Sequence, residues 1–300
     1  MKRLDGKTCI VFGAGPNIGG TIAHFFAREG ASVAIADINP AASQETANFI
    51  SERGGVAFAT SGSAVIEADV ARMVAETISR FGHIDVAVNM AGRVHWASIL
   101  EMEMDDWTDS VLSFPTAGML TTKHCAKSMI TGQRRGSIIH LLSTAAHFGE
   151  AAGTAYTASK AALLNFSRSA AMDLAQYGIR VNTITPCAME HQLWTNMKQE
   201  IFDPDFVPPN TYSFYSRDEF LKSIPLGRFP RASDLACAAV FLASDESQFI
   251  TGIDLPVDGG LRVKYPAWRP GNFTGANIGA YTRSIRMTRY GEEEEWLMEE

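Results

Sequence analysis

Three side chains in this sequence have the types and spacing to move a proton: Ser143, Tyr156 and Lys160, all within GSIIHLLSTAAHFGEAAGTAYTASK, residues 136–160. Tyr156 and Lys160 are four residues apart, so on a helix they share one face about one turn apart. A lysine ammonium within reach favours the phenolate, by roughly one to three pKa units from an unperturbed value of about 10. That moves the phenol towards acid/base range near neutral pH. Ser143 can donate a hydrogen bond to a substrate oxygen while Tyr156 exchanges its proton. None of the three can carry a hydride, so redox chemistry here needs a cofactor.

The elements that must hold this trio are legible from periodicity. Gly136 to Leu142 reads as a buried strand and Thr157 to Tyr177 as a long helix, which leaves Ser143 at the strand end. Further strands are predicted at Thr8–Phe12, Ser32–Asp37, Val56–Ser61, Ile84–Met90, Ile179–Thr185 and Ile253–Val257. Helices fall at Ile18–Glu29, around Trp107 and on past Pro115 towards Ser128, and at Ser233–Ala243. Such alternation predicts one doubly wound, Rossmann-type α/β domain with a parallel sheet, and ligands at the carboxyl ends of its strands.

A cofactor site is suggested by the segment GAGPNIGG, Gly13 to Gly20, lying between the first strand and the first helix. Backbone N–H groups of such a turn and the positive end of the helix dipole face a pyrophosphate. Candidate contacts are Gly13, Pro16, Asn17, Ile18 and Gly19; asparagine at 17 suits the left-handed backbone that a glycine would otherwise adopt. The second strand ends in Asp37, whose carboxylate can accept hydrogen bonds from the adenosine ribose and repels a 2′-phosphate. With Ile38 next to it and Pro16 before Asn17, no cation is placed to reverse that preference, so NAD is expected over NADP.

At Ser143, Tyr156 and Lys160 the chain resembles the short-chain dehydrogenase/reductase family, whose motif is a tyrosine, three residues, a lysine, and a serine thirteen residues before the tyrosine, here 156 − 143 = 13. The run Ile224 to Gly260 resembles the family's carboxyl-terminal signature, and the likeness spans about Leu4 to Arg262. It implies about seven strands, a reversible oxidation of a secondary alcohol to a ketone, and a homotetramer or homodimer. It also implies roles for individual residues. Tyr156 takes the hydroxyl proton, Lys160 holds the ribose and lowers the phenol pKa, and Ser143 steadies the substrate oxygen. Ser63 and Ala64 flank the adenine, while Asp69-Val70 falls in the next helix. Asn89-Met90-Ala91-Gly92 stands for the family's Asn-Asn-Ala-Gly, with Asn89 bracing the sheet and Ala91 and Gly92 beside the cofactor. Pro186 and Met189 lie at the nicotinamide, with His191 where a threonine often contacts it.

Four departures from that family stand out. Asn17 replaces a glycine, Ser63 an aspartate and Cys187 a glycine, and Phe114 or Pro115 occupies the place of an asparagine that relays protons. Neither Phe114 nor Pro115 can pass a proton. Cys187 reads as a packing residue rather than a reactive thiol. His95, His140 and His147 end near the pocket without metal-ligand spacing, and only His147 is kept as a substrate contact.

Whole-chain composition narrows the field further. The 300 residues are 46% hydrophobic and 20% charged, enough for a sizeable core, and the net charge of −7 supplies no basic surplus for nucleic acid or an anionic membrane. No secretory signal or membrane-length apolar run is found, and the spacing of Cys9, Cys125, Cys187 and Cys237 fits neither a zinc pattern nor a disulfide framework, which points to the cytoplasm. Residues 1–262 are assigned to the dehydrogenase domain. Residues 188–228 form an aromatic-rich insert expected to act as a substrate lid, whose rings suggest a bulky apolar or ring-containing substrate. Residues 263–300 are a carboxyl-terminal extension expected to pack on a partner chain or across the pocket. The alternative is a scaffold or sensor of the same fold that binds NAD without turnover.

Overall fold

The computed structural model describes residues 2–189 and 217–264. Seven strands form one parallel sheet: β1 (Thr8–Phe12), β2 (Ser32–Asp37), β3 (Val56–Ser61), β4 (Val86–Asn89), β5 (Gly136–Leu141), β6 (Ile179–Pro186) and β7 (Asp254–Val257), in the order β3-β2-β1-β4-β5-β6-β7. Crossovers are made by α1 (Ile18–Arg28), α2 (Pro40–Ser51), α3 (Glu67–Phe81), α4 (Met104–Thr131) and α5 (Thr154–Ala175), followed by α6 (Arg217–Ser223) and α7 (Ala232–Ala243).

Strands buried on both faces read as continuous apolar runs, and alternate residues feed opposite layers. Val11, Val33, Val88 and Ile139 pack with α1, α2 and α7 on one face. Their neighbours Ile10, Ala34, Ala87 and Ile138 pack with α3, α4 and α5 on the other. The chain winds from β1 outward to β3 and then returns to place β4 on the far side of β1. At that reversal the connections diverge and open a crevice at the carboxyl ends, between Gly13 and Asn89, where a dinucleotide binds in such sheets.

Most bounds agree with expectation to within two residues, and the largest shifts are in β4 and at the start of α5. Strand β4 is trimmed to Val86–Asn89, and α5 starts at Thr154, one turn early, because Gly153 is anchored to Ala97 by a parallel bridge and caps the helix. Tyr156 therefore sits in the first turn of α5. Of the expected lid, 190–216, which includes His191, lies outside the described residues, as does the tail from residue 265.

Candidate active site

The glycine-rich loop leaves β1 through Gly13, whose φ of +81° only glycine adopts freely, and whose N–H donates to the Ala36 carbonyl at 2.8 Å. Gly19 is required for a different reason: a Cβ there would fall 2.2 Å from the Gly13 carbonyl oxygen and 2.8 Å from the Met90 sulfur. Asn17 does not take the left-handed backbone expected of it. Its φ is −139°, and its side-chain oxygen instead caps α1 by accepting the Gly19 N–H at 2.8 Å. An asparagine can satisfy this helix start from an extended backbone, so no positive φ is needed. The Ile18 N–H, next in line, is given no acceptor among the described residues, and it is the donor left for a phosphate oxygen.

Asp37 is fixed at the end of β2 by two backbone donors, Gly15 N–H and Asn39 N–H, each at 2.9 Å. On the neighbouring strand end, Asp69 springs from α3, as expected, yet its carboxylate reaches back to accept the Ser63 N–H at 2.9 Å. A carboxylate is thus returned to the Ser63–Ala64 turn by a helix residue, a compensation that spacing along the chain gave no sign of. Across the crevice Asn89 is 1% exposed; its oxygen accepts from Ala91 N–H at 3.3 Å while its Nδ2 has no partner. That orphaned buried donor, the free Ile18 N–H and the fixed Asp37 carboxylate fit a dinucleotide. Pro186 ends β6 opposite Val257, and the Met189 side chain is buried in the core cluster beneath α7. Gly92 faces the Phe114 ring.

Ser143, Tyr156 and Lys160 come from one strand-loop-helix segment, β5 to α5. Ser143 follows β5 in extended conformation, caps the 3-10 turn Thr144–Ala146 by accepting the Ala145 N–H at 3.2 Å, and its side chain comes near enough to Tyr156 to act on the phenol. Lys160 is 3% exposed and donates to the Leu141 carbonyl at 2.9 Å. The Tyr156 ring packs 5.4 Å from Trp96 and 5.7 Å from Phe114 between centroids, and the residue keeps some exposed surface.

The electrostatics correct one expectation. In the protein alone the Tyr156 phenol is pushed up to about 12, chiefly by burial; the neighbouring Ser143 side chain works to lower it and the nearby Glu150 charge raises it further. Lys160 does not pull it down, because burial drives the lysine itself to about 7 and its ammonium is turned to the Leu141 carbonyl. Glu150, half-buried where it and Trp96 both meet Gly153, is also raised by burial.

The remaining candidates sort themselves by partner. Cys187 is buried and its thiol is pushed up to about 12 by burial, so it packs against Ile224 and Phe229 rather than reacting. His140 is fully buried, driven down to about 3, and hydrogen-bonded to Thr122. His95 lies between Asp106 and Asp109. The Nε2 of His147, expected to face substrate, donates to Asp254 at 2.9 Å. Asp254 also accepts from Thr183 and Thr185 hydroxyls and from Arg262, a network that links the Ser143 loop to β6 and β7. Among the described residues no cluster of His, Cys, Asp or Glu could hold a metal, and no helix is long and apolar enough to cross a membrane.

A parallel sheet with a glycine-rich first turn, an acidic second strand end and a Ser-Tyr-Lys trio defines a dinucleotide-dependent oxidoreductase. Comparison with known proteins narrows the class. A family model described as enoyl-(acyl carrier protein) reductase matches residues 13–262. A sorbitol dehydrogenase of Cereibacter sphaeroides is 36% identical over 259 residues, covering 86% of this chain and 98% of that protein. A 2,5-dichloro-2,5-cyclohexadiene-1,4-diol dehydrogenase of Sphingobium indicum is 32% identical, covering 87% and 98%. The crystal structure of a gluconate 5-dehydrogenase from Burkholderia cenocepacia J2315, in complex with NADP and tartrate, has a TM-score of 0.76 at 30% identity, covering 88% and 98%. The chain belongs to the short-chain dehydrogenase/reductase family, oxidoreductases that act on CH–OH groups with a nicotinamide cofactor.

Proposed function

We propose that this protein interconverts a secondary alcohol and a ketone with NAD(H), on a compact substrate that presents a ring or hydroxylated face to Trp96. A bound nicotinamide dinucleotide supplies the hydride acceptor. Tyr156 accepts the hydroxyl proton, Ser143 donates a hydrogen bond to the same oxygen, and Lys160 holds the ribose side of the cofactor. The approach of the Ser143 side chain to the Tyr156 phenol, one helical turn from the buried Lys160, is the observation that carries this reading. Glu150 lies where a second hydroxyl of the substrate could donate to it. A cyclic or acyclic polyol is therefore preferred over a hydrocarbon-like alcohol, in keeping with the diol and sugar-alcohol names of the relatives.

Asp37 supports NAD over NADP: two backbone donors hold its charge at the ribose position, and Ile38 brings no cation to a 2′-phosphate. A second reading, a cofactor-holding protein without turnover, is favoured by the high phenol pKa. Both readings include NADH binding, so binding does not separate them. Turnover does. Cyclic diols, sugar alcohols, aromatic alcohols and steroid-like alcohols are screened for NADH production, with NADP in parallel. Activity that is lost in Tyr156→Phe while NADH binding persists supports the redox reading; NADH binding with no oxidation across the panel favours the scaffold. Asp37→Ser is expected to raise the NADP to NAD preference about tenfold or more, through loss of like-charge repulsion.

A further inference from the structure

Lys160 carries three N–H donors on a nearly sealed ammonium, and among the described residues it pairs with no carboxylate. One donor goes to the Leu141 carbonyl. On the α4 side its neighbour is the face of Phe114, with Nζ 3.8 Å from the ring centroid, well inside the roughly 6 Å over which a cation is attracted to a π face. Phe114 is itself held on several sides. It is 5% exposed, meets the Tyr156 ring near edge-on at 5.7 Å, and presses on Gly92 so closely that a Cβ there would fall 2.2 Å from its Cδ1. With Gly118 and Thr122 it repeats every four residues along α4, a stripe whose other members admit Leu163 and bond His140. Of the two residues that could have stood at this level of the helix, Phe114 is the one turned to the lysine.

We propose that Phe114 is a positioning residue of the redox site: its π face holds the Lys160 ammonium in line with Tyr156 and closes the α4 side of the pocket to water. The proposal rests on the redox reading above. Its physical content is that an ammonium stripped of hydration keeps its charge only if something replaces the lost water, and here a ring does what a polar side chain or a trapped water does in other sites. Titratable neighbours are few: Tyr156 on the same helix, and His140 on β5, which burial keeps neutral. A proton accepted by Tyr156 has no polar side chain at position 114 to pass to.

The test combines Phe114→Leu, which removes the π face while keeping bulk, with Phe114→Tyr, which restores it. In protein labelled with 13C at the lysine ε position, the Lys160 signal, identified by its loss in Lys160→Met, is expected to be shifted upfield by the ring in the wild type and to titrate at lower pH in Phe114→Leu. Turnover in Phe114→Leu is expected to fall about tenfold at unchanged alcohol KM, with recovery in Phe114→Tyr. Thermal unfolding and NADH binding check that the variants fold. A wild-type Lys160 signal without a ring-current shift overturns the proposal even if the leucine variant does not fold, as does a folded Phe114→Leu with wild-type titration and kcat. Should no alcohol be oxidised by the wild type, the redox reading fails, while the spectroscopic arm still decides whether the ring holds the lysine.

Discussion

Two buried charges lie at opposite sides of this site and are treated in opposite ways. Asp254 receives hydrogen bonds from Thr183 at 2.8 Å, Thr185 at 2.5 Å, His147 at 2.9 Å and Arg262 at 2.6 Å. Burial works to raise its pKa, but the threonines and Arg262 bring it below the usual carboxylate value. Lys160 receives one carbonyl and one aromatic face, and burial brings it down to about 7. A charge with a full set of partners is locked on and serves as a strut; one left short of partners sits near its titration point and is available for chemistry.

The contrast is broken most severely at the lysine. Lys160→Met is expected to lower kcat by about 100-fold or more, measured as NADH production, since it removes the group proposed to hold the ribose side of the cofactor beside Tyr156. The strut should behave differently. Asp254→Asn is expected to cost about 2 kcal/mol of unfolding free energy in denaturant titrations, because Arg262 keeps only Asp258 as a counter-charge and the threonine and histidine donors lose a charged acceptor, while kcat of the folded protein at low temperature falls far less.

A smaller effect sharpens the comparison through pH. Folded Lys160 gives up its proton near 7, whereas the unfolded lysine keeps it to 10.5. Between those values the unfolded chain binds more protons, so this residue makes stability rise with pH there, and Lys160→Met should flatten that part of the profile. Asp254, with its lowered pKa, contributes stability above the unfolded value of 3.8 that is lost as pH falls through the folded one. The least effect is expected of His147→Gln, about 1 kcal/mol or less, since the other three donors continue to hold Asp254.

Much of the frame was readable in the sequence. Strand and helix periodicity placed β1, β2 and β3 at their observed bounds, and helix α4 runs through Pro115 as its flanking pattern implied. The trio was readable because its members lie within one strand-loop-helix segment, where local geometry alone brings them together. What escaped was each contact made across the chain. Asp69 reaching Ser63, Arg262 and His147 meeting at Asp254, and Phe114 lying under Lys160 join residues from separate elements, and no periodicity reports on which side chains meet between elements.

By itself the amino-acid order determined which elements form, which way the sheet winds and which residues can transfer a proton, since these follow from spacing, backbone propensity and side-chain chemistry. The charge states were decided only in three dimensions. Whether Tyr156 and Lys160 hold their protons depends on how much water packing removes and how many donors or acceptors replace it, and both quantities exist only once distant segments have closed around them.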